Sequence, residues 1–257
     1  MPPRGLKKLL RDTAPCKLVG SGSKKRFQLV LQGGGRGLTM RGLTKRLADK
    51  IFSEGDLPAV ATSNTVKPKG GHWRGPDGGR RRGCAVDSQV SRLASVSAER
   101  RFKSKMLVLT RLVFSALSEK GLEPILGQRA VCSQFHRVGT AADVVCYHAE
   151  KHALVLVELK CGFSGCKTAA ARDSKGECFM RGPLRRAADH VIHRHMAQLA
   201  LTHAMFMREK NTLKKLGSLG VEGVEGMLLY ANDETVETYE LPEWWRRKAS
   251  SVLDFLR

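Results

Sequence analysis

The chain is short of acid. Its 257 residues carry 45 Lys and Arg against 24 Asp and Glu, a formal net charge of +21. Such an excess draws a chain to polyanions, nucleic acid above all, with an anionic membrane surface as the other class of target. Long apolar runs are missing as well. None approaches the roughly 18 residues of a membrane span, so no membrane association through a spanning helix is expected. The N-terminus has no apolar stretch of the kind a secretory signal needs. The cysteine count, seven, is odd, and Cys132 and Cys146 fall in strand-like apolar runs. Together these features read as an intracellular protein with reduced thiols, with the nucleus or the nucleus and cytoplasm of a host cell favoured. The opening stretch MPPRGLKKLLRDTAP is basic and poor in acids. It fits both a mitochondrial presequence and the start of a nucleic-acid-binding arm, and both stay open. There is no internal repeat.

What is present suits a globular protein: 42% apolar and 27% charged residues, on a chain long enough for one full α/β domain and an appendage. The charge is uneven. Residues 1–83 hold 19 Lys and Arg against 5 Asp and Glu, so most of the excess lies in the first third. That third is expected to be a basic, partly ordered extension, with one short strand near Phe27–Leu31 and a helix near Leu43–Phe52. It ends in KPKGGHWRGPDGGRRRG, residues 67–83, with two prolines, many glycines and six basic residues. Such a stretch buries too little apolar surface to offset its chain entropy. It reads as a flexible linker closing in Arg80, Arg81 and Arg82, a candidate phosphate-gripping or nuclear-import cluster.

Residues 84–257 read as the folded domain. Val86, Val90, Leu93, Phe102, Met106, Leu109, Val113 and Leu117 recur at helical steps with a break near Ser95–Arg101, and Gly121 is a natural helix stop. Strand-like runs follow at Leu122–Cys132, Ala141–Tyr147 and Ala153–Leu159. Pro183 is expected to open a long helix reaching Lys210. Two further strands, Val224–Ala231 and Val236–Leu241, precede a last helix after Pro242. The order is helix, three strands, helix, strand, strand, helix, which predicts a mixed central sheet flanked by helices.

The chemistry concentrates in GTAADVVCYHAEKHALVLVELK, residues 139–160. Asp143 sits on one apolar run and Glu158-Leu159-Lys160 closes the next. Strand alternation puts Glu158 and Lys160 on one face. Two carboxylates on adjacent strands suit Mg²⁺ or Mn²⁺, which favour oxygen ligands and keep several waters. Phosphodiester hydrolysis needs such a metal, an activated water and charge relief for the leaving oxygen. Asp143, Glu158 and the Leu159 carbonyl are the candidate metal ligands, and Lys160 the group that orients or deprotonates the water. Arg181, Arg185 and Arg186 are candidates for tracking a nucleic-acid backbone.

This arrangement resembles the PD-(D/E)xK nuclease superfamily over about Val86 to Tyr239, in the branch of RecB-type and λ-exonuclease-like enzymes. It is also similar to herpesvirus nuclease-like nuclear proteins through Val157-Glu158-Leu159-Lys160 and Gln198-Leu199. The resemblance implies a restriction-endonuclease-like αβββαβ core and metal-dependent hydrolysis of DNA, exonuclease-like in kind. It implies metal and catalytic roles for Asp143, Glu158 and Lys160, and adds Gln198 to the site. It further implies an acid on the first helix, for which Asp87, Glu99 and Glu119 are candidates. The sequence departs from the pattern twice: Ala142 stands where proline precedes the aspartate, and Thr202 where RecB-type helices carry tyrosine.

Three rival readings remain. One is a noncatalytic nucleic-acid-binding protein on a nuclease-like scaffold. Another is a restriction or junction-resolving endonuclease of the same fold. The third is a zinc site from Cys161, Cys166, Cys178, His190, His193 and His195. Zinc is disfavoured, because there is no Cys-x2-Cys and His193 and His195 fall on different helix faces. A cysteine nucleophile is disfavoured too, since no strand-to-helix elbow surrounds any cysteine.

Overall fold

The runs Val144–Tyr147 and Ala153–Val157 are apolar at every position, a pattern that suits strands covered on both faces. They form the middle of the sheet. The computed structural model describes residues 1–19, 26–30, 37–53, 78–161, 179–232 and 235–257, without the side chains of 78–80. Among these are helices α1 (Leu6–Asp12), α2 (Leu43–Lys50), α3 (Gly78–Ala94), α4 (Ala98–Phe102) and α5 (Val108–Glu119), then α6 (Val191–Met207), α7 (Lys210–Gly217) and α8 (Glu243–Phe255). The strands are β1 (Cys16–Val19), β2 (Arg26–Leu29), β3 (Thr39–Gly42), β4 (Leu122–Ser133), β5 (Val138–His148), β6 (Ala153–Cys161), β7 (Gly223–Ala231) and β8 (Val236–Glu240). They make one mixed, open, eight-stranded sheet in the order β1-β2-β3-β5-β6-β7-β8, with β4 on the other edge of β5. No helix among the described residues is long and apolar enough to cross a membrane.

Strand β5 has one edge filled along its length by β4 and the other divided between two partners. Strand β6 pairs antiparallel with it from Val144 to His148. Strand β3 pairs parallel with it at Val138 and Gly139. The sheet therefore forks, and residues 140–143 of β5 lie in the crotch with no strand on that edge among the described residues.

Helices cover both faces. One apolar cluster joins Val144, Cys146, Val155, Val157 and Leu229 to α3 and α5 through Val86, Val90, Val113 and Phe114. The larger cluster joins Val145, Leu154, Leu156 and Leu228 to α6 and α8 through Met196, Leu199, Phe206 and Leu253. Helix α6 is apolar nearly all round because it lies between the sheet and α8. Helix α5 stops where Gly121 adopts φ +68°, a conformation that costs glycine little.

The described residues among 1–53 belong to this same fold. Leu6 and Leu10 of α1 and Leu43 and Leu47 of α2 are buried in the larger cluster with Ile51, and β1–β3 extend the sheet. The expected strand and helix of this region are present as β2 and α2. Helix α1 and strands β1 and β3 were not expected. Their few apolar residues suffice because the core supplies the opposing surface, which average composition hides. Two further expectations are corrected. The linker 67–83 lies outside the described residues as far as 77, and from Gly78 it is helix. Burial of Val86, Val90 and Leu93 one to three turns on stabilises α3 despite its glycines. Pro183 does not open the long helix but sits in a 3₁₀ turn, Gly182–Leu184. The helix begins at Val191, after Asp189 has accepted hydrogen bonds from the Ser53 backbone N–H and from Arg194, fixing that segment against α2.

Candidate active site

The crotch of the fork gathers the charged residues. Asp143 is the first β5 residue past the end of the β6 ladder. Its side chain continues the pairing: the Leu159 N–H donates to Asp143 Oδ2 at 2.8 Å. A strand residue's N–H and C=O point to the same neighbour, so the Leu159 carbonyl, the expected ligand, is directed to that side too.

Glu158 is 2% exposed. Lys160 Nζ and Gln198 Nε2 both donate to its Oε1, each at 2.6 Å. The other oxygen, Oε2, is buried and has no hydrogen-bond partner among the described residues. A buried carboxylate oxygen without a partner carries its full desolvation cost. Gln198 reaches Glu158 because α6 lies across the β6 face that carries Glu158 and Lys160.

Asp87 enters from α3. Gln128 Nε2 donates to Asp87 Oδ1 at 2.9 Å and to Asp143 Oδ1 at 3.4 Å, tying the helix acid to the strand acid. The close seat of α3 on β4 permits this. A Cβ on Gly127 would lie 2.4 Å from the Ser91 backbone, one turn along from Asp87. Of the other candidates for the first-helix acid, Glu99 is exposed and pairs with Lys103, and Glu119 is exposed at the end of α5. Neither joins the site.

Gln128 has no counterpart in the sequence reading. Its φ is +52°, a left-handed conformation that is uncommon for a residue with a Cβ. The β4–β5 register is unbroken on either side, Gly127↔Val144 and Arg129↔Ala142. Yet residues facing the larger core step from Leu126 to Arg129 on β4, where alternation would place Leu126 and Gln128. On β5 the same step runs from Ala142 to Val145. Both strands thus slip one position in their alternation at Gln128 and Asp143. Strained backbone of this kind persists where its surroundings over-determine it. Here the side chain it re-aims holds two carboxylates. Only Gly127, beside it, hints at the irregularity in the sequence.

The electrostatics follow. Burial raises the Asp143 pKa well above the usual carboxylate value, with Glu158 and Asp87 pushing the same way against Lys160. Burial also raises Glu158, and the neighbouring Lys160 only partly offsets it. For Lys160, burial opposes the charge, but Glu158 and Asp143 outweigh it and hold the pKa above the ordinary lysine value. Lys160 is thus a firmly protonated cation, suited to orienting a water and neutralising charge rather than to removing a proton. Burial pushes the Cys161 thiol, next along β6, up to about 12.

A second pair flanks Lys160. Tyr230 is its β7 neighbour in register, and His195 Nδ1 lies 2.8 Å from the Tyr230 hydroxyl. Burial, then the Lys160 and Arg194 charges, hold His195 neutral. Of the histidines of the zinc reading, His190 and His193 stay neighbours, with ring centroids 5.7 Å apart, and His195 departs from them. His193 Nδ1 contacts the Ala188 carbonyl and its ring lies beside Trp245, whereas His195 turns to Tyr230. Cys166 and Cys178 lie outside the described residues.

The basic candidates divide. Arg181 is exposed, and one of its nitrogens donates to the Ala48, Asp49 and Phe52 carbonyls at the C-terminal end of α2. Arg82 is buried, Arg81 exposed, and the Arg80 side chain is outside the described set. Arg185 and Arg186 are exposed beside Trp244 and Lys248.

Among the described residues, no three His, Cys, Asp or Glu side chains form a ready-made metal cage. Mg²⁺ does not need one, since one or two carboxylates and several waters are its common protein-bound state. The donor set fits that ion: hard carboxylates with raised pKa values, one buried oxygen lacking a partner, and a backbone carbonyl alongside. No family model matches the chain, and no curated protein matches it.

Proposed function

We propose that the chain is a metal-dependent nuclease of the PD-(D/E)xK kind that hydrolyses DNA phosphodiester bonds. The observation that carries the reading is the unpartnered, buried Glu158 Oε2, set among Asp143, Asp87, Lys160 and Gln198 at the fork. The sequence of elements α5, β4, β5, β6, α6, β7 supports the restriction-endonuclease-like core. Asp143, Glu158 and the Leu159 carbonyl would hold Mg²⁺ or Mn²⁺. That ion, when bound, supplies Lewis-acid polarisation of the phosphate and acidifies a bound water.

The chain's own residues do the rest. Protonated Lys160 orients the attacking water and offsets negative charge growing on the phosphoryl oxygens. Gln198 holds Glu158 Oε1, which leaves Oε2 aimed as an acceptor. Gln128 fixes Asp143 relative to Asp87. The test is Glu158→Gln, which keeps shape and removes the charge. Wild-type protein with Mg²⁺ should degrade or nick DNA, and the variant should lose both the activity and any Mg²⁺-dependent rise in melting temperature. A variant that cleaves as the wild type does would overturn the proposal.

A further inference from the structure

The other arm of the fork ends in a cleft of about 600 Å³ that the carboxylate site does not use. Arg41 of β3, Arg46 of α2, Arg137 of the β4–β5 turn and Arg257 after α8 line it, with Phe135 and His136. Three separate parts of the chain deliver these arginines to one concavity. None of the four is ion-paired with an Asp or Glu side chain among the described residues. Asp254 lies 3.2 Å from His136 Nε2. Arg46 donates from one nitrogen to the backbone oxygen of Arg257, the last residue of the sequence, and its buried Nε has no hydrogen-bond partner among the described residues. Arg137 is held in a left-handed turn, φ +53°, with its carbonyl accepting the Arg41 N–H at 3.1 Å, so the two exposed guanidinium groups are carried on adjoining backbone.

Like charges gathered at one concavity repel, and an anion seated among them relieves that repulsion. Guanidinium forks match phosphate oxygens in pairs, which lysines on an open surface do not. The ring of Phe135 is 63% exposed and lies 4.3 Å from the Arg257 guanidinium. An exposed aromatic beside a basic groove is a platform for a nucleobase, which favours a polynucleotide over free phosphate.

We propose that this arginine cleft binds backbone phosphates of the nucleic acid, holding the strand on the β3 arm while the scissile bond lies at the carboxylates on the β6 arm. The inference rests on the nuclease reading for the second half of that statement only. Arg41 pairs with Val138, five residues along β5 from Asp143. At ~3.3 Å per residue the two sites are about 17 Å apart, or roughly five nucleotide steps of a 3.4 Å rise.

The test measures binding, without metal, of a labelled 30-nucleotide DNA to the full chain by fluorescence anisotropy across a salt series. Arg41→Gln with Arg137→Gln removes two exposed side chains that make no side-chain hydrogen bonds among the described residues, and unchanged thermal unfolding verifies the fold. The double variant should bind at least about tenfold more weakly, with the slope of log K against log salt reduced by between one and two. Lys214→Gln with Lys215→Gln makes the same charge change on α7 and should cost no more than about threefold. Arg41→Lys with Arg137→Lys, which keeps the charge and loses the forks, should fall between wild type and the glutamine variant. Equal losses in the α7 and cleft variants, or no loss in the cleft variant, would overturn the proposal. So would inorganic phosphate binding to wild type but not to the cleft variant while DNA affinity stays the same. A wild type that binds DNA through the cleft yet never cleaves it with Mg²⁺ would overturn the nuclease reading and leave the cleft standing.

Discussion

Replacing Asp143 with asparagine should stabilise the metal-free protein at the pH where it destroys the function. The folded-state pKa of Asp143 is raised by burial and by Glu158 and Asp87. Between its unfolded and folded pKa values the native state therefore holds more protons than the unfolded chain. Stability falls as pH rises through that interval and stays at the lower level above it. Each unit by which a folded pKa exceeds the unfolded value costs about 1.4 kcal/mol above both. Unfolding entropy of ~2.1 cal/mol/K per residue gives a 257-residue chain about 0.5 kcal/mol per degree, so each such unit is worth roughly 2–3 °C in melting temperature. Asparagine still accepts the Leu159 N–H, so the ladder end survives. Thermal unfolding of both proteins with EDTA at pH 4 and pH 8 tests this, followed by Mg²⁺ at pH 8. The variant should gain on the wild type between pH 4 and pH 8. Mg²⁺ at a hundred times its dissociation constant should raise the wild type by about 2.7 kcal/mol, near 5 °C, and leave the variant unmoved. A variant that is less stable by the same amount at both pH values would refute the idea that the carboxylates strain the metal-free fold.

Two further outcomes are expected. Gly127→Ala drives a Cβ into the Ser91 backbone, lifting α3 and with it Asp87. It should cost about 1–3 kcal/mol and lower cleavage, whereas Gly217→Ala, where a Cβ meets nothing, should leave cleavage unchanged. Arg129 and Glu209 form a buried ion pair at 2.7 Å, with Arg129 Nε and Glu209 Oε1 lacking hydrogen-bond partners among the described residues. Arg129→Ala alone should cost about 3–5 kcal/mol, some 6–9 °C, and Arg129→Met with Glu209→Leu should recover most of it, both read by thermal unfolding.

The sequence made the central elements legible because their physics is local. Apolar runs at 144–147 and 153–157 mark buried strands, and the apolar positions of α5 recur at helical steps. The carboxylates and Lys160 could be placed for the same reason, since strand alternation sets the face of Glu158 and Lys160. Residues 1–53 were harder to read, because Leu6, Leu10, Leu43 and Leu47 signal little until the core that covers them is known. Gln128 was invisible: nothing local singles out a glutamine for a left-handed backbone, and its role exists only once β4, β5 and α3 are assembled. The contacts of Arg181 were equally hidden, because the three carbonyls that one of its nitrogens meets lie about 130 residues away at the end of α2.

The decisive experiment for metal-dependent cleavage is single-turnover hydrolysis of DNA with Mg²⁺ by wild type and Lys160→Ala, with DNA affinity measured alongside. The wild type should cleave, the variant should be slowed by about a hundredfold or more, and both should bind DNA alike. Equal cleavage by the two, or a wild type that binds DNA and leaves it intact with either Mg²⁺ or Mn²⁺, would contradict the nuclease reading.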